Sequence, residues 1–278
     1  LDHDFDAERS FRERGINRSV RFIACSGIVK NQILMKQIQD IMQLLQKEYE
    51  YPVDIEFTVN LSETGEYSIN LLQCRPLKVF KDIGKAQIPE DIAEEKIILE
   101  NVHSSMGLSR NVKIDHIVLV DPIAYYNMPY AQKPNVAKLI GTINWKYKGK
   151  NKHMLLMVPG RIGTSSPELG VPTTFADISE FEAICEIEEK KAGYNPELSY
   201  GSHIFQDLVE AEILYTAVFA NEKTLRFAPE KLAEYPDIVS LFTEDPELKQ
   251  VVHVYDMSKV SCELCNDLQN ERLVLYQQ

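Results

Sequence analysis

The chain is predicted to be α/β (mixed α+β) and built in two parts. Three observations carry this. A helical apolar period changes to strand alternation between residues 32 and 75, a polar, acid-rich interval covers 81–112, and short apolar runs beyond it alternate with turn-rich segments. The 278 residues, 44% hydrophobic, are enough for one or two domains, each with its own core.

Residues 1–22 are charge-dense, with Arg9, Arg12, Arg14, Arg18 and Arg21 among acids and no sustained face. From Gln32 to about Glu50, Ile33, Leu34, Ile38, Ile41, Met42, Leu44 and Leu45 recur at three-to-four spacing, which predicts an amphipathic helix. Pro52 prevents its continuation. Val53, Ile55, Phe57 and Val59 then alternate with Asp54, Glu56 and Thr58, a strand period. The link 62–66 has hairpin composition, and Tyr67, Ile69 and Leu71 lead a second strand that ends at Pro76. In that register Glu56 lies on the polar face, with Gln73 expected opposite it.

Beyond the 81–112 interval, read as a linker, Ile114–Val120 is expected as a strand and Val136–Ile140 as part of a helix or turn. His153–Val158 reads as a buried strand entering the turn-rich loop Pro159–Ser166. Apolar positions from Phe175 to Ile187 supply another element, and 190–201 reads as loop. His203–Ala211 is expected to begin a helix capped by Ser202, and Ile213–Phe219 either extends it or forms a strand. Thr224–Phe227 and Val251–Val254 are expected as strands around an acidic, proline-interrupted segment at 229–250.

The net charge, 30 minus 42 or −12, argues against general nucleic-acid wrapping. Five cysteines (Cys25, Cys74, Cys185, Cys262 and Cys265) imply no disulfide framework, so a reducing, cytoplasmic setting is expected. No run of 18 apolar residues predicts a membrane span. The opening residues, Leu1 onward, resemble neither a signal peptide nor an ordinary start, so a fragment of a longer protein is expected. One stretch runs against the acidic balance. Between Asp121 and Glu168 lie Lys133, Lys138, Lys146, Lys148, Lys150, Lys152 and Arg161 without an acid, which reads either as a solvated basic loop or as a site for an anionic ligand.

Two groups of residues could carry chemistry. A hard cation takes oxygen ligands, which Glu56 with Asp54 or the Gln73 carbonyl could supply, and the Arg75 fork could hold a phosphate. The plain alternative is an outward polar strand face. In the second group, Gly160 and Gly163 allow unusual backbone dihedrals around Arg161, and the turn's N–H groups with Thr164, Ser165 and Ser166 could form an anion nest. Asp177, His203 and Gln206 would complete a pocket, and a locally satisfied turn is the alternative. Cys262-x-x-Cys265 lacks a second pair for zinc, and the histidines are scattered.

The segment Tyr51-Pro52-Val53-Asp54-Ile55-Glu56-Phe57, followed by Leu71-Leu72-Gln73-Cys74-Arg75-Pro76, resembles the end of the ATP-grasp nucleotide-binding domain of phosphoenolpyruvate synthase and pyruvate phosphate dikinase. The resemblance covers about residues 33–78. It implies that Glu56 and Gln73 are magnesium ligands, Arg75 lies near the nucleotide phosphates, and Asp54 is a supporting partner. Val158–Pro172, then Ala176-Asp177-Ile178 and Gly201–Leu208, resemble the tail of bacterial phosphoenolpyruvate synthase-like proteins, with Ile162 in place of a tryptophan and Val158 in place of a glycine. The family's upstream basic, glycine-rich lobe, its swivelling phosphohistidine segment and its phosphoenolpyruvate-binding barrel are not matched.

The resemblance therefore implies the C-terminal part of an ATP-grasp-like domain over 1–80, a linker over 81–112, and a second α/β domain over 113–278. The expected function is part of an ATP- and magnesium-binding phosphotransferase with an unidentified acceptor, inactive as a fragment. A non-catalytic nucleotide-binding or regulatory interaction module is the alternative. The expected partners are the missing N-terminal lobe, which ATP binding requires, and a small phosphorylated or anionic ligand at Arg161 and His203. No nucleic acid or membrane is expected.

Overall fold

The computed structural model describes residues 2–4, 8–9, 11–12, 14–22, 26–61, 66–77, 84–188, 198–199 and 203–278. The chain divides into two compact units, Leu1–Val79 and Phe80–Gln278. The hairpin link over 62–65, Cys25, most of the 190–201 loop and the Ser202 cap lie outside the described residues.

In the first unit, strands β1 (Asp2–His3) and β2 (Arg21–Phe22) form a short antiparallel pair. Helix α1 (Gln32–Tyr49) starts at Asn31, whose side chain accepts the Leu34 N–H at 3.1 Å, satisfying one of the helix's orphan donors. It stops at Glu50, which adopts the left-handed conformation (φ 53°), with Pro52 just beyond. The helix lies against β3 (Val53–Leu61), which pairs antiparallel with β4 (Tyr67–Pro76). Only Leu34 of the helix is fully buried. Ile38, Ile41 and Leu45 are half-buried, and Ile33, Met42 and Leu44 are exposed.

The second unit has three layers. Its central sheet has the order β13-β8-β9-β10-β11-β6. In it β8 (His116–Val120), β9 (Met154–Pro159), β10 (Ala183–Ile187) and β11 (Leu214–Val218) run parallel. Antiparallel β6 (Ser105–Met106) and β13 (Val252–Asp256) form its edges. The four parallel strands are buried at every position, as expected of a sheet covered on both faces.

On one face Val118, Leu156, Ile184 and Ala217 pack with α3 (Lys133–Tyr147) and α4 (His203–Glu210). Helix α3 follows the short α2 (Pro122–Asn127), and its Val136, Ile140 and Ile143 recur at i, i+4, i+7 to make its buried stripe. On the other face Ile117, Leu155, Cys185 and Leu214 meet a second, antiparallel sheet of order β12-β5-β15-β14-β7. Its strands are β5 (Ile97–Val102), β7 (Arg110–Lys113), β12 (Thr224–Phe227), β14 (Cys262–Asp267) and β15 (Arg272–Gln277). Alternation along each central strand thus sends successive side chains into different cores.

One expectation needs correction, and two open readings are decided. The stretch 81–112, read as a linker from its acids and its Ser, Gly and Asn content, supplies β5, β6 and most of β7. Its polar residues are structural: buried Asn101 and Ser104 bond across to β11. Val136–Ile140 is part of helix α3, as one of its two readings had it, and Leu214–Val218 takes the strand alternative offered for Ile213–Phe219. The segment 229–250 holds the 3-10 turns Pro229–Glu234 and Val239–Leu241 and ends in the short helix α5 (Leu248–Val251). The pair β14–β15 has no counterpart among the elements expected from the sequence.

Candidate functional site

In the β3–β4 hairpin Asp54 stands opposite Arg75, and Glu56 stands opposite Gln73. Opposed residues of an antiparallel pair share a face, and so do residues two apart along a strand. Asp54, Glu56, Gln73 and Arg75 therefore lie on one face, across from Val53, Ile55 and Cys74. Just beyond Glu56 the register shifts, since Phe57 opposes Leu71 and Leu72 is the extra residue of a bulge. The bulge ends the polar quartet and lets the alternation resume with Phe57 and Leu71 on the apolar face.

Arg75 Nε approaches Asp54 Oδ2 at 3.4 Å, and both side chains are mostly buried. The carboxylate restrains a guanidinium that would otherwise sample many rotamers. Glu56 is half-buried and Gln73 exposed. Their oxygens suit a hard cation. Magnesium keeps several waters and is held through one or two carboxylates plus phosphate oxygens, so a carboxylate and an amide carbonyl suffice from the protein. Among the described residues no group of three His, Cys, Asp or Glu side chains is arranged to hold a metal ion.

The second expected site, Gly160–Ser166, follows β9 at the carboxyl edge of the parallel strands. Gly160 and Gly163 both have positive φ (63° and 71°), the backbone conformation for which glycine was singled out. A Cβ on Gly163 would fall 2.4 Å from Ile204 Cδ1, so the loop is seated against the first turn of α4, where exposed His203 begins the helix. Much of the expected anion nest, however, is already engaged. Gly160 N–H donates to Ile187 O, Arg161 N–H to Leu169 O, Ile162 N–H to Glu186 and Gly163 N–H to Val171 O. Four successive donors are thus spent inside the protein. The Thr164 hydroxyl is engaged locally with Ser166, accepting its N–H at 3.1 Å. Asp177 caps its own turn, accepting from the Thr174 N–H and hydroxyl at 2.7 Å each, and so is a capping residue. The side chain of Arg161 is half-buried, with a buried Nε that has no partner among the described residues, and it can still meet an anion.

The basic window divides between opposite edges of the sheet. Lys133 and Arg161 lie at the carboxyl edge, and Lys146, Lys148, Lys150 and Lys152 at the amino edge, separated by the six residues of β9, roughly 20 Å at about 3.3 Å per residue. Lys133 is buried with its ammonium 4.7 Å and 5.1 Å from the ring centroids of Tyr125 and Tyr126, and burial pulls its pKa down. Lys146 donates to Leu241 O, and Lys152 pairs with Asp115 at 3.0 Å. A charge run in sequence is therefore not one cationic patch.

The sequence reading missed Glu186. It sits within Ala183-Ile184-Cys185-Glu186-Ile187, and a single acid in a run that is buried on both faces was the available signal. Cys262 and Cys265 are both buried on β14, three residues apart and so on opposite faces of the sheet, in separate apolar clusters, and burial pushes their thiols up to about 12 and about 11. No helix among the described residues is long and apolar enough to cross a membrane.

A family described as pyruvate phosphate dikinase, AMP/ATP-binding domain, matches residues 8–96, which is under a third of the chain and contains the whole hairpin. No curated protein and no solved structure matches the chain. Residues 8–96 thus share family-level similarity with the nucleotide-binding domain of the dikinases, which links the chain in general terms to ATP- and magnesium-dependent phosphotransferases.

Proposed function

We propose that the hairpin β3–β4 is the C-terminal part of an ATP-grasp-like magnesium–ATP site in a phosphotransferase related to phosphoenolpyruvate synthase and pyruvate phosphate dikinase. The observation that carries this is the register pairing Glu56 with Gln73 and Asp54 with Arg75 on one face, inside the segment similar to the dikinase nucleotide domain. In this reading Glu56 and Gln73 hold the metal, and Arg75, steadied by Asp54, offsets phosphate charge. The partner that completes the cleft is an N-terminal nucleotide-binding lobe of the same protein. Arg161 and His203 are the proposed contacts for a small anionic acceptor, through side chains rather than through the loop backbone.

The test is calorimetry of ATP with and without magnesium on the full-length protein. Glu56→Ala should weaken magnesium-dependent binding at least about tenfold, equivalent to about 1.4 kcal/mol. Unchanged affinity rejects the metal role. ATP consumption that depends on an added small acid distinguishes a phosphotransferase from a non-catalytic nucleotide-binding module.

A further inference from the structure

Glu186 is fully enclosed on β10, and four donors end on it. Ile162 N–H (2.8 Å) and the Ser199 hydroxyl (2.5 Å) reach Oε1, while Ser199 N–H (2.8 Å) and the Tyr215 hydroxyl (2.7 Å) reach Oε2. All four are neutral. The sheet neighbours opposite it are Val158 on β9 and Ala217 on β11, both apolar. Among the described residues the titratable group facing it is Tyr215 from β11; the neighbouring Cys185 points to the opposite face of the sheet, its thiol pushed up by burial and then by Glu186. No cation among the described residues acts on the carboxyl.

A carboxylate enclosed without a counter-charge costs several kcal/mol, and such a group ordinarily becomes neutral instead. Burial pushes the Glu186 carboxyl up against the pull of its hydrogen bonds. The geometry already contains the neutral arrangement, because Ser199 Oγ lies 3.2 Å from a second acceptor, Ile162 O. With Glu186 protonated, its Oε1–H donates to Ser199 Oγ and the Ser199 hydroxyl turns to Ile162 O. The two backbone N–H groups and the Tyr215 hydroxyl still donate to Glu186. Both carboxyl oxygens of Glu186 are used and the carboxyl carries no charge.

We propose that Glu186 is a neutral acid at neutral pH and works as an alkali-operated latch, holding both the Arg161–Ile162 segment and the Ser199 turn on the sheet until its proton is lost. The proton passes to bulk base. The carboxylate left behind reclaims the Ser199 hydroxyl, Ile162 O loses its donor, and the buried charge is relieved only by admitting water between the loop and β10. The segment released carries Arg161, so loop position at this edge becomes dependent on pH. The latch is independent of the nucleotide reading, and neither readout below involves ATP.

Arg161–Ile162 is itself a bond that trypsin cuts, which makes trypsin a local probe of release. Cleavage there in the full-length chain, normalised to a short peptide with the same bond, is followed from about pH 7 to about pH 9.5; local opening governs such cleavage. Normalised cleavage should rise at least about tenfold across that range and stay flat in Glu186→Gln, whose side chain cannot ionise. A flat wild-type profile, or an equal rise in the variant, overturns the latch. Should Glu186→Gln not fold, carboxyl NMR of the wild-type chain labelled at the glutamate δ-carbon decides. One glutamate should remain protonated at about pH 7, and the proposal fails if every glutamate titrates in the ordinary range near 4.2.

Discussion

Truncating Asn101 should separate the two sheets of the second unit at a definable cost. Asn101 lies on β5, almost wholly buried, and its Nδ2 donates to Thr216 Oγ1 and Ala217 O on β11, each at 2.9 Å. Its Oδ1 accepts the Thr224 hydroxyl of β12 at 2.8 Å. In Asn101→Ala all three bonds vanish. The Thr216 hydroxyl still donates to Ser104 O at 3.2 Å, Ala217 O keeps only a long contact of 3.4 Å from Ser104, and the Thr224 hydroxyl has no replacement acceptor among the described residues. At about 1 kcal/mol for each lost bond, the sum is about 3 kcal/mol before any term for the space left behind. For a unit of this size that is a fall in Tm of roughly 6–12 °C.

Urea unfolding followed by circular dichroism should show a lower midpoint with an unchanged slope. The isosteric Asn101→Asp should be at least as harmful, because a carboxylate then faces the Ala217 carbonyl that Nδ2 had satisfied. A loss below about 1 kcal/mol in Asn101→Ala would refute the reasoning, since it would mean that the inter-sheet bonds contribute no more than the water that replaces them.

Two further outcomes are expected. The Asp237 carboxyl is held below its usual range. Burial alone would raise it, but His253 Nδ1 at 2.8 Å and the N–H groups of Val254 and Val239 at 3.0 Å outweigh that effect. A depressed folded pKa adds stability above the unfolded value, about 3.9, and that stability fades as pH falls through the folded value, so Asp237→Asn should flatten the acid limb below about pH 4. Urea midpoints measured against pH check this, and superimposable limbs would count against it. For the thiols, alkylation of the folded protein should label half-buried Cys74 well before Cys185, Cys262 and Cys265. Peptide mass mapping would expose an error if Cys262 reacted as fast as Cys74.

Legibility tracked the range of the interactions involved. The helix over 32–49 and the following hairpin were readable because period, cap and proline are local signals, and the opposition of Glu56 and Gln73 follows from short-range strand register. The parallel strands β8 and β9 were readable as apolar runs bounded by turns. The 81–112 stretch was not, because Asn101 and Ser104 look like loop residues until their partners more than a hundred positions away are known. The Gly160–Ser166 turn was rightly read as glycine-dependent in backbone. Whether its N–H groups were free depended on Leu169, Val171, Glu186 and Ile187, which no spacing rule brings into view.

The amino-acid order by itself determined the alternation of elements, the polar face of the hairpin and the positions where only glycine fits comfortably, since these arise between residues a few places apart. Tertiary structure alone decided which donors are spent, which charges share a surface and where an acid is sealed without a counter-ion. Six of the seven cations in one stretch of sequence end at opposite edges of one sheet, and Glu186, an ordinary surface residue by composition, becomes the most enclosed carboxyl among the described residues. Hydrogen-bond satisfaction and desolvation belong to the packed neighbourhood, and the neighbourhood is assembled from segments far apart along the chain.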